Sequence, residues 1–279
     1  CVMTSSSSPG IALKQEGISY CAGAELPAVI VSISRGGPGL GGILPSQADY
    51  NQATRGGGNG DYKVIVLAPN GVQEASNLMR DAFILAHQYR NPVMLMADGV
   101  IGQMMEPVEI NTQAMPSFDH SWAANGRLER GHRNIVNSLF LDARDLEQHN
   151  RDLRAKYDQI EANEVRYECY LCDDAEVLIV AYGSPSRIVK TAIHALREQG
   201  IKAGLFRPIS LYPFPYHALS QASIGKRFVL SAELSMGQMV VDVRLAINGQ
   251  LPVHFYGRAG GIIFEPIEIV DAVKSHLEV

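Results

Sequence analysis

The most constraining feature of the chain is a set of short, uninterrupted apolar runs separated by helix-like stretches. "AVIVSI" (28–33), "KVIVLA" (63–68) and "PVMLMA" (92–97) are each about the length of one strand. None alternates polar with apolar, so each reads as a strand buried on both faces, as in a parallel sheet with helices on either side. Between the second and third runs, "NGVQEASNLMRDAFILAHQYRN" places Val72, Leu78, Met79, Ala82, Phe83 and Ala86 on one helical stripe. Asn70 is positioned to cap that helix, with Gln73 as its capping-box partner. "GIALKQEGISYCAGAEL" also reads as helical, and the opening "CVMT" as the end of a strand.

From about residue 105 to 172 the pattern breaks. Pro107, Pro116, Asn125 and Gly126 interrupt it, and a charged helix from Ala143 to about Ala162 follows, capped by Asp142. Its apolar side is thin (Leu146, Leu153, Tyr157, Ile160), which suits a connector lying across other elements. A second strand–helix series then starts: "EVLIVAYG", "SRIVKTAIHALREQG" ending at Gly200, "KAGLF", "RFVLSAE", "PVHFYG", and a last helix beginning near Pro266. Four strands alternating with helices predict a second, smaller parallel α/β domain. With 46% hydrophobic residues in 279, the chain can fill two cores. The expected domains are 1–110, a linker with the charged helix at 111–172, and 173–279.

A net charge of −5 gives no electrostatic case for nucleic acid or an anionic membrane. No apolar run approaches the roughly 20 residues of a membrane span. The opening stretch has neither the basic nor the apolar region of a signal peptide, so a reducing, cytoplasmic setting is expected. The four cysteines are too few and too irregular for a disulfide scaffold. Cys169 and Cys172 form a lone CxxC, short of the roughly four ligands a zinc or iron–sulfur centre needs, so no metal is assigned to this chain. The eight histidines are scattered, with no HExxH and no triad spacing, and none is given a catalytic role.

In open α/β sheets ligands bind at the carboxyl ends of the strands. "TSSSSPG" (4–10), "SRGGPGLGG" (34–42) and "PNG" (69–71) fall there. The first gathers hydroxyls and amides before a helix. In the second, Arg35 is the only charged residue between Glu25 and Asp49. A guanidinium forks onto a carboxylate or phosphate, and the glycines that follow let backbone approach a ligand. On composition alone the same loop is equally a solvated surface turn. It matches neither the P-loop spacing nor a dinucleotide fingerprint.

Several segments together resemble one family. "TSSSSPGIALKQEGISYCAGAELPAVIV", "RGGPGLGGILPSQADYNQATRGGGNGDYKVIVLAP", "YRNPVMLMADGVIGQMMEPV", "ANEVRYE", "FRPISLYPFP" and "MGQMVVDVRLAINGQ" run in order over nearly the whole chain. They are similar to the alpha subunit of the thiamine-diphosphate-dependent 2-oxoacid:ferredoxin oxidoreductases, nearest the branched-chain (2-oxoisovalerate) and 2-oxoglutarate types. The resemblance implies an α/β chain: a thiamine pyrimidine-binding domain, incomplete at its N-terminus, then a transketolase C-terminal-like parallel α/β domain. It implies oxidative decarboxylation of a 2-oxoacid to acyl-CoA and CO₂, with electrons passed to ferredoxin.

Carried over residue by residue, the resemblance makes Arg35, with Gly36 and Gly37, the binder of the substrate carboxylate. Thr4, Ser5, Ser6, Ser7 and Pro9 become the contacts on the aminopyrimidine side of the cofactor. It implies that thiamine diphosphate is shared with a beta subunit, that Mg²⁺ and iron–sulfur clusters sit on partner chains, that CoA is co-substrate, and that other small subunits and ferredoxin are partners. The family's catalytic glutamate and a "YPITP"-type loop lie upstream of the position of Cys1, so no catalytic residue is assigned here and the chain is not expected to be active alone. The alternative is a truncated, non-catalytic assembly subunit. Another thiamine enzyme is disfavoured, because no GDG…N diphosphate motif occurs in this chain. For 2-oxoglutarate a second cation would be needed, and Arg55 is the available candidate.

Overall fold

A computed structural model describes residues 1–127 and 130–277. The chain runs β1 (Val2–Ser7), α1 (Ser8–Ala12), α2 (Gln15–Gly23), β2 (Ala28–Ser34), α3 (Tyr50–Arg55), β3 (Ile65–Leu67), α4 (Val72–Tyr89), β4 (Pro92–Asp98) and α5 (Gly99–Gln103). After an irregular stretch come α6 (Ala143–Asn163), β5 (Tyr167–Tyr170), β6 (Val177–Val180), α7 (Gly183–Glu198), β7 (Ala203–Pro208), β8 (Ser210–Tyr212), α8 (Tyr216–Ser223), β9 (Phe228–Glu233), α9 (Met239–Ile247), β10 (Val253–Gly257) and α10 (Pro266–Leu277).

Two five-stranded sheets result, ordered β1-β2-β4-β3-β8 and β10-β9-β6-β7-β5. In each, four strands are parallel and one edge strand is antiparallel: β8 beside β3, and β5 beside β7. Because β7 and β8 are separated by Ile209 alone, one extended run passes from the second sheet into the first.

Adjacent residues of β2 serve opposite faces. Ile30 joins a core that also holds Met94, Met96, Val180, Phe206, Val229 and Met239, so the two sheets share one apolar interior. Val29 joins Leu67, Leu85 and Leu95 on the other face, and there Leu153, Tyr157 and Ile160 of α6 pack as well. The charged helix is therefore part of the covering layer of the first sheet, while Leu146 is left exposed. On α7, Val189, Ala192, Ile193 and Leu196 follow helical spacing and are fully buried in the second core.

Three expectations need correcting. Thr4 to Ser7 are not a loop after a strand stub: β1 continues through Ser7, held in register by Ala28 to Ile33 of β2. The helical stretch after it is two helices, with Leu13 and Lys14 between them. Asn70 does not cap α4. The cap position is Gly71, and the helix start is served by carboxylates, with Val72 N donating to Glu106 (3.0 Å) and Asn70 N to Glu74 (2.8 Å). Gln73 instead bonds the backbone of Glu109 through both its side-chain atoms. Asp142 does cap α6, accepting from Arg144 N.

Candidate active site

Register sets which side chains meet at the carboxyl edge of the first sheet. Ser7 pairs with Ile33, and Ser34 with Asp98, so the ends of β1, β2 and β4 lie level. β1 is the outer strand, and its far side pairs with no strand among the described residues. Extended backbone sends alternate side chains to opposite faces. Ser6 faces α1, where a Cβ added at Gly10 would stand 1.9 Å from its hydroxyl. The Thr4 hydroxyl accepts from Lys14 Nζ (2.8 Å), which also reaches Ser5 O (3.0 Å). Ser5 and Ser7 point the other way, and among the described residues their hydroxyls have no protein partner. Pro9 occupies the first turn of α1.

Arg35 follows β2 at the foot of a narrow loop. An Arg35–Pro45 bridge, Gly36 N to Leu44 O (3.0 Å) and Gly42 N to Gly36 O (2.8 Å) close it like a hairpin. Only glycine suits position 41: its φ is +54°, and a Cβ would stand 1.9 Å from Gly36 O. Gly36 is buried against Gly260 of the second domain, whereas Gly37 is exposed. The loop tip presents Leu40 and Ile43 almost fully to solvent.

The Arg35 guanidinium has few obligations. Nη1 donates to Gly42 O (3.3 Å), Nε is buried without a partner, and no carboxylate among the described residues lies within ion-pair distance. The hydroxyl of the preceding residue, Ser34, wholly buried, is also unpartnered. Buried polar atoms without partners are uncommon and point to a group that completes them.

Most of the other strand ends are closed, although Arg258 Nε, just past β10, is also buried without a partner. Asp98 accepts from Ser184 Oγ (2.6 Å) and from Val100 N (2.8 Å). Gln47 joins the two domains, donating to Tyr182 O (3.0 Å) and accepting from Leu234 N (2.9 Å). Glu233, with no exposed surface, accepts from Met239 N and Gln238 N on one oxygen and Val240 N on the other, all at 3.0 Å. Buried Asp242 accepts from Tyr50 OH (2.7 Å) and Arg55 (2.9 Å) and also bonds Tyr216 OH. Burial, reinforced by the Asp242 charge, drives the Tyr50 hydroxyl well above its ordinary pKa.

Arg55 is therefore not brought to the Arg35 loop as a second cation; it is spoken for by Asp242. Both line a cavity of about 670 Å³, walled by Tyr212, Phe214 and Tyr216 and lined by no residue of 4–9 or 34–45. "PNG" serves the start of α4 and, through Asn70, contacts Ser186 and Arg187 of α7. Of the CxxC, Cys169 is exposed on β5 and Cys172 buried, its thiol pushed by burial up to about 12. Sequence reasoning passed over Ser8, Asp49, Lys14 and Ser34; only Ser8 carried a signal, as the last of the serine run.

Two covered, mostly parallel sheets with loops at their strand ends define an α/β protein of the kind that binds ligands at the carboxyl ends of its strands. The family model described as pyruvate flavodoxin/ferredoxin oxidoreductase, thiamine diP-binding, matches residues 1–169. That of pyruvate:ferredoxin oxidoreductase core domain II matches residues 175–269. The chain is 50% identical over 275 residues to the ketoisovalerate oxidoreductase subunit VorB of Methanothermobacter marburgensis, covering 98% of this chain and 78% of that one. To the 2-oxoglutarate synthase subunit KorA of Methanocaldococcus jannaschii it is 35% identical, with 97% and 80% covered. The 2-oxoglutarate:ferredoxin oxidoreductase from Magnetococcus marinus, solved with 2-oxoglutarate, coenzyme A and succinyl-CoA, shares the fold at TM-score 0.82 and 23% identity. That match covers 99% of this chain and 53% of the solved one. The chain belongs to the 2-oxoacid:ferredoxin oxidoreductase subunits.

Proposed function

We propose that this chain works as the alpha-type subunit of a 2-oxoacid:ferredoxin oxidoreductase, converting a 2-oxoacid and CoA to acyl-CoA and CO₂ while reducing ferredoxin. The observation that carries the reading is the Arg35 guanidinium, set at a strand end on a closed glycine loop and paired with no carboxylate among the described residues. Such a fork is available to a carboxylate substrate. Fixing that carboxylate orients the neighbouring carbonyl carbon, and orientation of this kind lowers a barrier by several kcal/mol, up to about 7–11 in near-attack geometry. Gly37 leaves room for the substrate beside it, and Gly36 lets the loop pack closely on Gly260.

The residues at the open edge of the first sheet fit a thiamine ring. Ser5 and Ser7 offer hydroxyls with no partner among the described residues, and Ser34 Oγ is a buried atom awaiting a partner. Thr4 and Ser6, on the opposite face of the strand, act by holding α1 and Lys14 in place, and Pro9 fixes the turn into α1. When bound, thiamine diphosphate supplies the electron sink for decarboxylation. A beta subunit completes its site and brings Mg²⁺; iron–sulfur clusters on partner chains carry electrons to ferredoxin. The setting is cytoplasmic, and no helix among the described residues is long and apolar enough to cross a membrane.

For substrate we favour a branched-chain 2-oxoacid. The VorB relative is named for ketoisovalerate, the loop beside Arg35 carries Leu40 and Ile43, and the expected second cation, Arg55, is bound to Asp242. The test is ferredoxin reduction by the assembled complex with CoA and thiamine diphosphate. A kcat/KM for 2-oxoisovalerate well above that for 2-oxoglutarate supports the reading. The reverse order would overturn the substrate, and no reduction with any 2-oxoacid would overturn the activity.

A further inference from the structure

One hydroxyl joins three segments beside Arg35. Ser8 Oγ lies 2.5 Å from Asp49 Oδ2, 3.0 Å from Arg35 N and 3.3 Å from Arg35 O. A serine hydroxyl has a single proton. The carboxylate takes it, and the Arg35 N–H donates into the free lone pair. The start of α1, the end of β2 and the start of α3 are thereby tied at one atom.

Asp49 is the second observation. It sits at the N-cap position of α3, where an aspartate ordinarily accepts from an amide of its own helix, yet its side chain makes no capping bond. Its carboxylate is turned to Ser8 instead. It is thus a carboxylate held one hydroxyl away from the backbone of the residue whose guanidinium has, among the described residues, no carboxylate within ion-pair distance.

The geometry points to Ser8 and Asp49 as a positioning pair for Arg35: Ser8 fixes the arginine backbone and holds the Asp49 carboxylate off its guanidinium, keeping the fork open for the 2-oxoacid. This rests on Arg35 being the carboxylate binder. Without the Ser8 hydroxyl, Asp49 is released to compete with the substrate for the same cation. The competition acts on binding, so it raises KM more than it lowers kcat.

The experiment uses the assembled oxidoreductase with its partner subunits, thiamine diphosphate and CoA, and 2-oxoisovalerate as probe. Ser8→Ala is expected to raise KM about tenfold with kcat within about twofold. Adding Asp49→Asn to Ser8→Ala removes the competitor and brings KM back to within about threefold of wild type. Ser8→Thr, which keeps the hydroxyl, retains the wild-type KM. A double variant as impaired as Ser8→Ala, or more so, would overturn the pair, as would an unchanged KM in Ser8→Ala.

If Ser8→Ala does not assemble, Asp49→Glu and Asp49→Asn decide. The longer carboxylate overreaches Ser8 and raises KM, whereas the amide does not; equal increases overturn the proposal. Arg35→Lys, run in parallel, separates the two readings. A large effect there with none at Ser8 rejects the pair alone, and no effect there rejects both.

Discussion

The two sheets are near copies in plan and opposites in how their strand ends are finished. In the second domain, Glu233 is fully buried and accepts three backbone amides at the start of α9. Asp242 is equally enclosed by two tyrosines and Arg55. At the ends of β1 and β2 in the first sheet, Ser5 and Ser7 have no partner among the described residues, Ser34 Oγ and Arg35 Nε are buried without bonds, and Arg35 meets no carboxylate of those residues. Satisfied polar groups hold a structure together, whereas unsatisfied ones at a strand end are free to meet a ligand. The contrast is one of degree, since Arg258, just past β10, also has a buried, unpartnered Nε.

The largest effect that sharpens this contrast is on stability in the second domain. Glu233→Ala strips three buried amides of their acceptor and is expected to cost about 3–5 kcal/mol in denaturant unfolding. Arg35→Ala, at the other strand end, should stay within about 0.5 kcal/mol. Comparable losses in both would erase the distinction.

Next comes Arg207, nearly buried, which forks onto Glu74 of α4 (2.9 Å to each oxygen) and bonds Glu168 of β5 (2.7 Å). Arg207→Ala leaves two carboxylates facing each other between the domains, and about 3 kcal/mol of stability should go with it.

Ser7→Ala removes only a hydroxyl with no protein partner. It should leave Tm unchanged and weaken thiamine diphosphate binding by the assembled complex by about three- to tenfold, the worth of one hydrogen bond. A lowered Tm with unchanged cofactor affinity would make Ser7 structural.

The smallest effect appears only in acid. Burial works against the charged form of Glu168, but the hydrogen bonds from Lys190 and Arg207 outweigh it and hold its pKa below the ordinary value. A carboxylate whose folded pKa is depressed contributes stability fully above its unfolded pKa, about 4.3, and loses it as pH falls through the lower folded value. Acid unfolding followed by circular dichroism should therefore show a flatter slope below about pH 4.3 for Glu168→Gln than for wild type.

What could be read from sequence was local. The runs at 28–33, 63–68 and 92–97 declared themselves because strands covered on both faces are mostly apolar, with no polar–apolar alternation. β1 did not, since a serine tract has no apolar period, and only its pairing with β2 makes it a strand through Ser7. Asn70 has the right chemistry for a cap, but Glu106, from the far side of β4, takes the work. Arg55 seemed free because Asp242, its partner, is 187 residues away. The Ser8–Asp49 contact spans 41 positions in the chain. Arg35 itself was legible from its isolation among glycines; that its guanidinium stays unpaired needed the fold.

The most direct test of the contrast is kcat/KM for 2-oxoisovalerate in the assembled oxidoreductase carrying Arg35→Lys, with Tm measured on the same samples. Lysine keeps the charge and loses the fork, so kcat/KM should fall on the order of a hundredfold while Tm is unchanged. An unchanged kcat/KM would contradict the account, because the open strand end of the first sheet would then hold no substrate carboxylate.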